Sequence, residues 1–183
     1  FVGRGGMDIE GAGWAVLQQL LARGMVRARG DFYRLTVEQL ETLERFARKS
    51  AENLHGAIER SRRRPLARIL YALGIPQVGE QTAIDLANWL VELVPPGDDE
   101  PMGGPDGWTS RAAAELRRIA ETEPARFEEV AGVGGVVAAA IAGYFADPVT
   151  GDRLAELVSA GVEAERPARR AAAAAGGPLA GKT

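Results

Sequence analysis

The stretch EEVAGVGGVVAAAIAGYF, residues 128–145, sets Gly-Val-Gly between an acidic segment and a long run of alanine, valine and isoleucine. Both flanks have helical composition, so the chain must reverse between two helices within a few residues. Glycine on each side of an apolar residue suits a turn that needs positive φ or close backbone approach, where any other residue costs roughly 1–2 kcal/mol. A turn this tight leaves the first N–H groups of the second helix free, with the positive end of its dipole facing outward. Such a terminus accepts a phosphate.

The same pattern recurs. EGAGWAVLQQLL is centred on Ala12, ERFARKSAENLHGAI on Phe46 and PQVGEQTAIDLANWL on Val78, with the opening copy on Val133. The centres lie 34, 32 and 55 residues apart. In each copy a small or apolar residue sits in a tight turn and a helix with apolar residues at helical spacing follows, which marks a repeated supersecondary unit. A lone Gly-x-Gly between helices is more often just a tight turn; four copies of the unit at near-regular spacing ask for a common function. Gly11 and Gly13 frame the first centre, and Gly132 and Gly134 frame the fourth, with Gly135 next. The third copy keeps Gly79, with Gln77 in the leading position and Thr82 as a hydroxyl donor. The second has Arg45 and Ala47 in place of glycine, followed by Arg48, Lys49 and Ser50.

The expected fold is all-α, with four tandem helix-hairpin-helix motifs in one compact domain over residues 1–162. Period-two alternation is not sustained anywhere, so strands are not expected. Thr36 and Gln39 have capping-box spacing; Pro65 and Gly74 read as the start and the end of a short helix. The long third gap holds VPPGDDEPMGGPDGWTSRAA, residues 94–113, whose proline, glycine and aspartate read as an inserted surface loop. Residues 163–177 are of low complexity and are expected to form a flexible linker. Both ends look cut, so a piece of a longer polypeptide is expected.

A formal charge of −3 gives no overall attraction for a polyanion, so any such contact must be local. Between residues 42 and 83, however, eight cationic side chains stand against four acidic ones. The run RSRRRP at residues 60–65 is either a solvated helix end or part of a groove that tracks a nucleic-acid backbone. There is no cysteine and one histidine, His55, so neither a disulfide framework nor an ordinary metal site is expected. No apolar run is long enough for a membrane helix. Trp14, Trp89 and Trp108 are read as packing residues, because no repeated aromatic pattern accompanies them.

Taken together, RGGMDIEGAG (residues 4–13), FYRLTVEQLETLERFARKSAENLHGAIERS (32–61), RPLARILYALGIPQVGEQTA (64–83) and VAGVGGVVAAAIAGYFADP (130–148) resemble the helix-hairpin-helix domain of bacterial NAD-dependent DNA ligase. GPLAGKT, residues 177–183, resembles the opening of the BRCT domain that follows in that family, placing a truncated BRCT start at residues 178–183. The resemblance implies binding of nicked double-stranded DNA by turn amides on minor-groove phosphates, in a clamp that also involves the other domains of the same chain. Contacts are then expected from Gly11, Gly13, Arg45, Arg48, Lys49, Ser50, Gln77, Gly79, Thr82, Gly132, Gly134 and Gly135. The second copy departs from the family pattern, with Ala47 where glycine is common and Arg48 where an acidic residue is common. No Lys-x-Asp-Gly is present, and Lys49 and Lys182 are the only lysines, so no catalytic residue is expected here. NAD, magnesium and zinc belong, on this resemblance, to the rest of the enzyme and none to this segment. A cytoplasmic, nucleoid-associated monomer is expected. The alternatives are a free-standing helix-hairpin-helix module of another repair or recombination protein, or a helical protein-interaction adaptor.

Overall fold

A computed structural model describes residues 1–167. The expected linker from residue 168 onward and the BRCT start at 178–183 lie outside the described residues. The fold is all-α, with 57% of the described residues helical and 2% in strand. In order come α1 (Trp14–Ala22), a 3-10 helix (Arg29–Arg34), α2 (Val37–Glu41), α3 (Arg48–Ser61), strand β1 (Arg63–Arg64), α4 (Leu66–Ala72), α5 (Glu80–Leu93), α6 (Trp108–Thr122), a second 3-10 helix (Pro124–Glu129), α7 (Gly135–Ala146), α8 (Arg153–Ser159) and strand β2 (Glu163–Ala164).

Local chemistry explains several boundaries. Thr36 caps α2 by the reciprocal pair expected of its spacing: the Gln39 N–H donates to Thr36 Oγ1 at 3.3 Å, and the Thr36 N–H donates to Gln39 Oε1 at 2.9 Å. Pro65 precedes the first residue of α4, and Gly74 just beyond its end takes a φ of 68°, the left-handed stop that glycine adopts without strain. α3 buries Ala51, Leu54, Ala57, Ile58 and Ser61, positions that fall on one face at helical spacing.

Packing follows the chain. α2 lies on α3, α4 on α5, and both α6 and the second 3-10 helix on α7, while α8 rests on α6 and on the first 3-10 helix. Buried apolar side chains from all these elements join one core. Each of the four repeat units supplies two anchors to it. Ile9, Leu43, Ile75 and Val130 lie four residues before the helix N-cap, and Leu20, Leu54, Leu86 and Ile141 lie seven after it, all at most 4% exposed. Full burial of one such side chain contributes about 1.5–3 kcal/mol, so the repeat is a packing repeat before it is anything else.

Three expectations are corrected. The segment 94–113 is a surface loop only in its first part, because α6 begins at Trp108, whose side chain is fully buried and whose Nε1 donates to the Val94 carbonyl oxygen at 2.6 Å. The domain does not stop at residue 162: β2 pairs in parallel with β1, and Ala164 is fully buried. Two N–H donors form this clasp, Glu163 to the Arg62 carbonyl oxygen at 2.8 Å and Glu165 to that of Arg64 at 2.9 Å. Finally, the first turn has no leading helix among the described residues, only bends and turns over residues 3–7.

Candidate nucleic-acid interface

The four turns share one backbone. Their leading residues Gly11, Arg45, Gln77 and Gly132 have φ of 86°, 63°, 64° and 73°. The central residue then donates its N–H three residues back: Ala12 to Ile9, Phe46 to Leu43 and Val78 to Ile75 at 3.2 Å each, and Val133 to Val130 at 3.0 Å. The N-cap residue that follows is Gly13, Ala47, Gly79 or Gly134, each in extended backbone. The left-handed step is thus kept where glycine is not, and Arg45 and Gln77 carry its strain.

None of the four N-caps supplies a side-chain hydrogen bond. Among the described residues, the N–H groups of the first two helical residues in each turn have no acceptor: Trp14 and Ala15, Arg48 and Lys49, Glu80 and Gln81, Gly135 and Val136. A Cβ placed on Gly13, Gly79 or Gly134 would meet no atom within 4 Å, so no described residue covers these three positions. Thr36 shows that this chain can cap a helix; at these four it does not. Uncovered N–H groups at the positive end of helices of 9, 14, 14 and 12 residues have the chemistry to accept an anion.

The remaining expected residues divide. Ser50 and Thr82 occupy the same third helical position in α3 and α5, in the first turn that carries the free N–H groups. Arg45 and Lys49 are exposed and make no ion pair with a described residue. Arg48 turns back on its own unit, at 3.0 Å from Glu52, 3.2 Å from Glu41 and 3.4 Å from Glu38. These bonds, that to Glu52 first, hold its guanidinium above its ordinary pKa and offset its charge. Gly135 is exposed, with Glu128 on its flank.

The basic run proves largely structural. Arg62 donates to the carbonyl oxygens of Tyr33, at 2.7 Å, and Ala160 and pairs with Glu59; Arg63 Nε reaches Glu163 at 2.6 Å. Arg64 donates to the Met7 carbonyl oxygen at 3.0 Å, and Arg68 donates to that of Arg4. Arg60 is the member with no hydrogen bond or ion pair to a described residue, and it lines both of two adjoining clefts at the first turn. One, of about 540 Å³, also holds Arg4, Arg64 and Gly11. The other, of about 590 Å³, runs past Gly11 to Phe46 and Ser50 and so joins the first turn to the second. The third and fourth turns line neither cleft. Arg4 was not foreseen, since one arginine among glycines gives no signal in the sequence.

The tryptophans also divide. Trp108 is buried, and Trp89 packs in a tilted pair on Phe127, ring centres 5.7 Å apart, and donates to Glu129 at 3.3 Å. Trp14 is not a packing residue: at 72% exposure it stands at the first position of α1.

The chain is 42% identical over 173 residues, 91% of its length, to a protein named DNA ligase from Halorhodospira halophila. It is homologous to part of a DNA ligase. DNA ligases of Alkalilimnicola ehrlichii and Acidobacterium capsulatum are each 40% identical over 100% and 88% of this chain. The chain spans only 20–24% of the length of these ligases. No family model matches it. Among the described residues, no helix is long and apolar enough to cross a membrane.

Proposed function

We propose that the chain is the helix-hairpin-helix segment of an NAD-dependent DNA ligase and binds duplex DNA around a nick through its sugar-phosphate backbone, without sequence preference. The observation that carries this reading is the set of four helix starts whose first N–H groups have no acceptor among the described residues. Amide-to-phosphate contacts fix register and orientation but read no base, and so suit an enzyme that must act at any nick. Held in this way, the duplex is positioned for chemistry done elsewhere in the enzyme. Gly11, Gly13, Gly79, Gly132, Gly134 and Gly135 present backbone, Ser50, Thr82 and Gln77 add polar side chains, and Arg45 and Lys49 add charge. Arg48 is the weakest of the expected contacts, because three carboxylates already surround it.

The segment supplies no catalytic group in this reading: Lys49 is exposed at the start of α3 and Lys182 lies outside the described residues. NAD, magnesium and zinc, the cytoplasmic location at the nucleoid and contacts to the other ligase domains go with the parent enzyme, and the segment itself works as a monomer.

Fluorescence anisotropy of a labelled nicked duplex, titrated at several salt concentrations, tests the reading. With about four phosphates engaged, log K against log salt has a slope near −3.6, from roughly −0.9 per phosphate. Scrambling the duplex sequence leaves the affinity unchanged. A salt-independent affinity, or a strong sequence preference, overturns backbone recognition.

A further inference from the structure

We infer that the first and fourth turns, through Trp14 and Val136, press apolar side chains against the groove face of the bound duplex, whereas the second and third meet its phosphates alone. This rests on the duplex-binding reading above. Trp14 and Val136 are 72% and 79% exposed, and they occupy the first and second positions of α1 and α7. The matching positions are Arg48 and Lys49 in α3, and Glu80 and Gln81 in α5. Among the described residues the Trp14 indole takes part in no hydrogen bond, ring stack or cation-π contact.

Direction decides what these side chains meet. Cα–Cβ bonds in a helix tilt toward its N-terminus, so a first-turn side chain overhangs the same end that presents the free N–H groups. An acceptor on the Trp14 and Ala15 N–H groups therefore lies against the indole. A bare anion gives an indole nothing to pack on. A phosphate within a duplex brings deoxyribose and the base edges of the minor groove, surfaces on which apolar side chains are used by groove-binding proteins.

The glycine pattern points the same way. The two turns with apolar tips are those with glycine at both the leading and the N-cap positions, Gly11 with Gly13 and Gly132 with Gly134. The two with polar tips have Arg45 and Gln77 in the leading position. Where the backbone has no side chains, the duplex approaches closest, and there an overhanging apolar group reaches past the phosphates.

The test uses the 183-residue chain and the nicked duplex at several salt concentrations. Trp14→Ala lowers affinity about fivefold or more at every salt concentration and leaves the slope unchanged, because the lost contact is uncharged. Lys49→Ala instead makes the slope shallower by about 1. Trp14→Phe retains most of the affinity. The emission lost in Trp14→Phe, taken as the Trp14 signal, becomes protected from acrylamide when duplex is added. Parent-like affinity of Trp14→Ala at all salt concentrations, or a Trp14 signal still fully quenchable in the saturated complex, overturns the inference while the salt-dependent binding of the parent stands. Failure of the parent chain to bind duplex removes the underlying reading and this one with it. A far-ultraviolet melt of each variant confirms equal folding.

Discussion

The Tyr144 hydroxyl donates to the Leu73 carbonyl oxygen at 3.1 Å, across 71 residues of chain. Leu73 is the C-cap of α4, whose terminal carbonyls lack intrahelical donors, and its oxygen also receives Arg29 Nη2 at 3.2 Å. One carbonyl thus joins α4, α7 and the first 3-10 helix. Tyr144→Phe keeps the ring and removes only this donor. It should lower stability by about 1 kcal/mol, seen as a lower urea midpoint with an unchanged m value.

Arg45 and Gln77 pay for a left-handed backbone that their neighbours in the repeat obtain from glycine. Arg45→Gly and Gln77→Gly remove roughly 1–2 kcal/mol of strain and add about 0.4–1 kcal/mol of unfolded-state entropy. Each should raise stability by about 0.5–1 kcal/mol in chemical denaturation. Gly132→Ala, at a φ of 73°, should lower it by a similar amount. A destabilised Arg45→Gly would show that the Arg45 side chain holds its turn together.

The loop before α6 is not expendable, contrary to its composition. Its backbone holds the start of the helix: Trp108 N–H donates to the Pro101 oxygen at 2.8 Å, Thr109 N–H to the Met102 oxygen at 3.0 Å, and Arg111 Nη2 pairs with Glu100 at 2.8 Å. Thr109 Oγ1 in turn accepts from the Ala164 N–H at 3.0 Å. Removing residues 96–107 should therefore cost about 1–3 kcal/mol in addition to any loop-length effect, and Trp108→Ala about 3–5 kcal/mol. Both are read from urea unfolding followed by circular dichroism.

Gly134 and Val133 separate binding from folding. Gly134 has a φ of −95° and open space around its Cβ position, so Gly134→Val brings little backbone strain, and the left-handed residue of this turn is Gly132. Gly134→Val should change stability by less than about 0.5 kcal/mol, yet weaken duplex binding by setting a branched side chain before the helix start. Val133, 7% exposed, is a core residue, and Val133→Ala should cost roughly 2 kcal/mol of stability. Equal duplex affinity of the two variants at matched folded fraction would make the turn purely structural.

Asp31 gives the fold a pH dependence. Its carboxylate accepts the Ala28 and Arg27 N–H groups at 2.8 Å each, and these bonds, Ala28 first, hold its pKa below the ordinary carboxylate range. A carboxyl group depressed in the folded state stabilises above its unfolded pKa, about 3.9, and that contribution is lost as pH falls through the lower folded value. Asp31→Asn should lose about 1 kcal/mol at pH 7 and converge with the parent in strong acid, as read from denaturation midpoints against pH.

The repeat could be read from the sequence because its information is local: apolar residues four before and seven after each N-cap, with small residues between. The left-handed step at Arg45 and Gln77 was not legible, since nothing in either residue type calls for it; the surrounding packing imposes it. Trp108 was hidden by a boundary drawn at residue 113, which cut through the apolar positions 108, 112, 113, 116, 119 and 120 of a regular helix. The ties of Arg62, Arg63 and Arg64 were illegible for another reason. Their partners lie up to 100 residues away, and local charge counts cannot tell a free cation from one already engaged.

The parallel clasp of β1 and β2 has a mechanical side. Chain entering from the N-terminal side attaches to the start of β1, and chain leaving toward the C-terminus attaches to the end of β2. Tension between the two flanks therefore loads the strands in shear, so that the bonds from Glu163 and Glu165 and the Arg63–Glu163 ion pair bear it together and do not open one after another. The helices between residues 66 and 159 sit inside the loop that the clasp closes, and the clasp offers this load a path along the chain that does not run through them. Tension applied to the two flanks can pass through the clasp while the spacing between the third and fourth turns stays fixed.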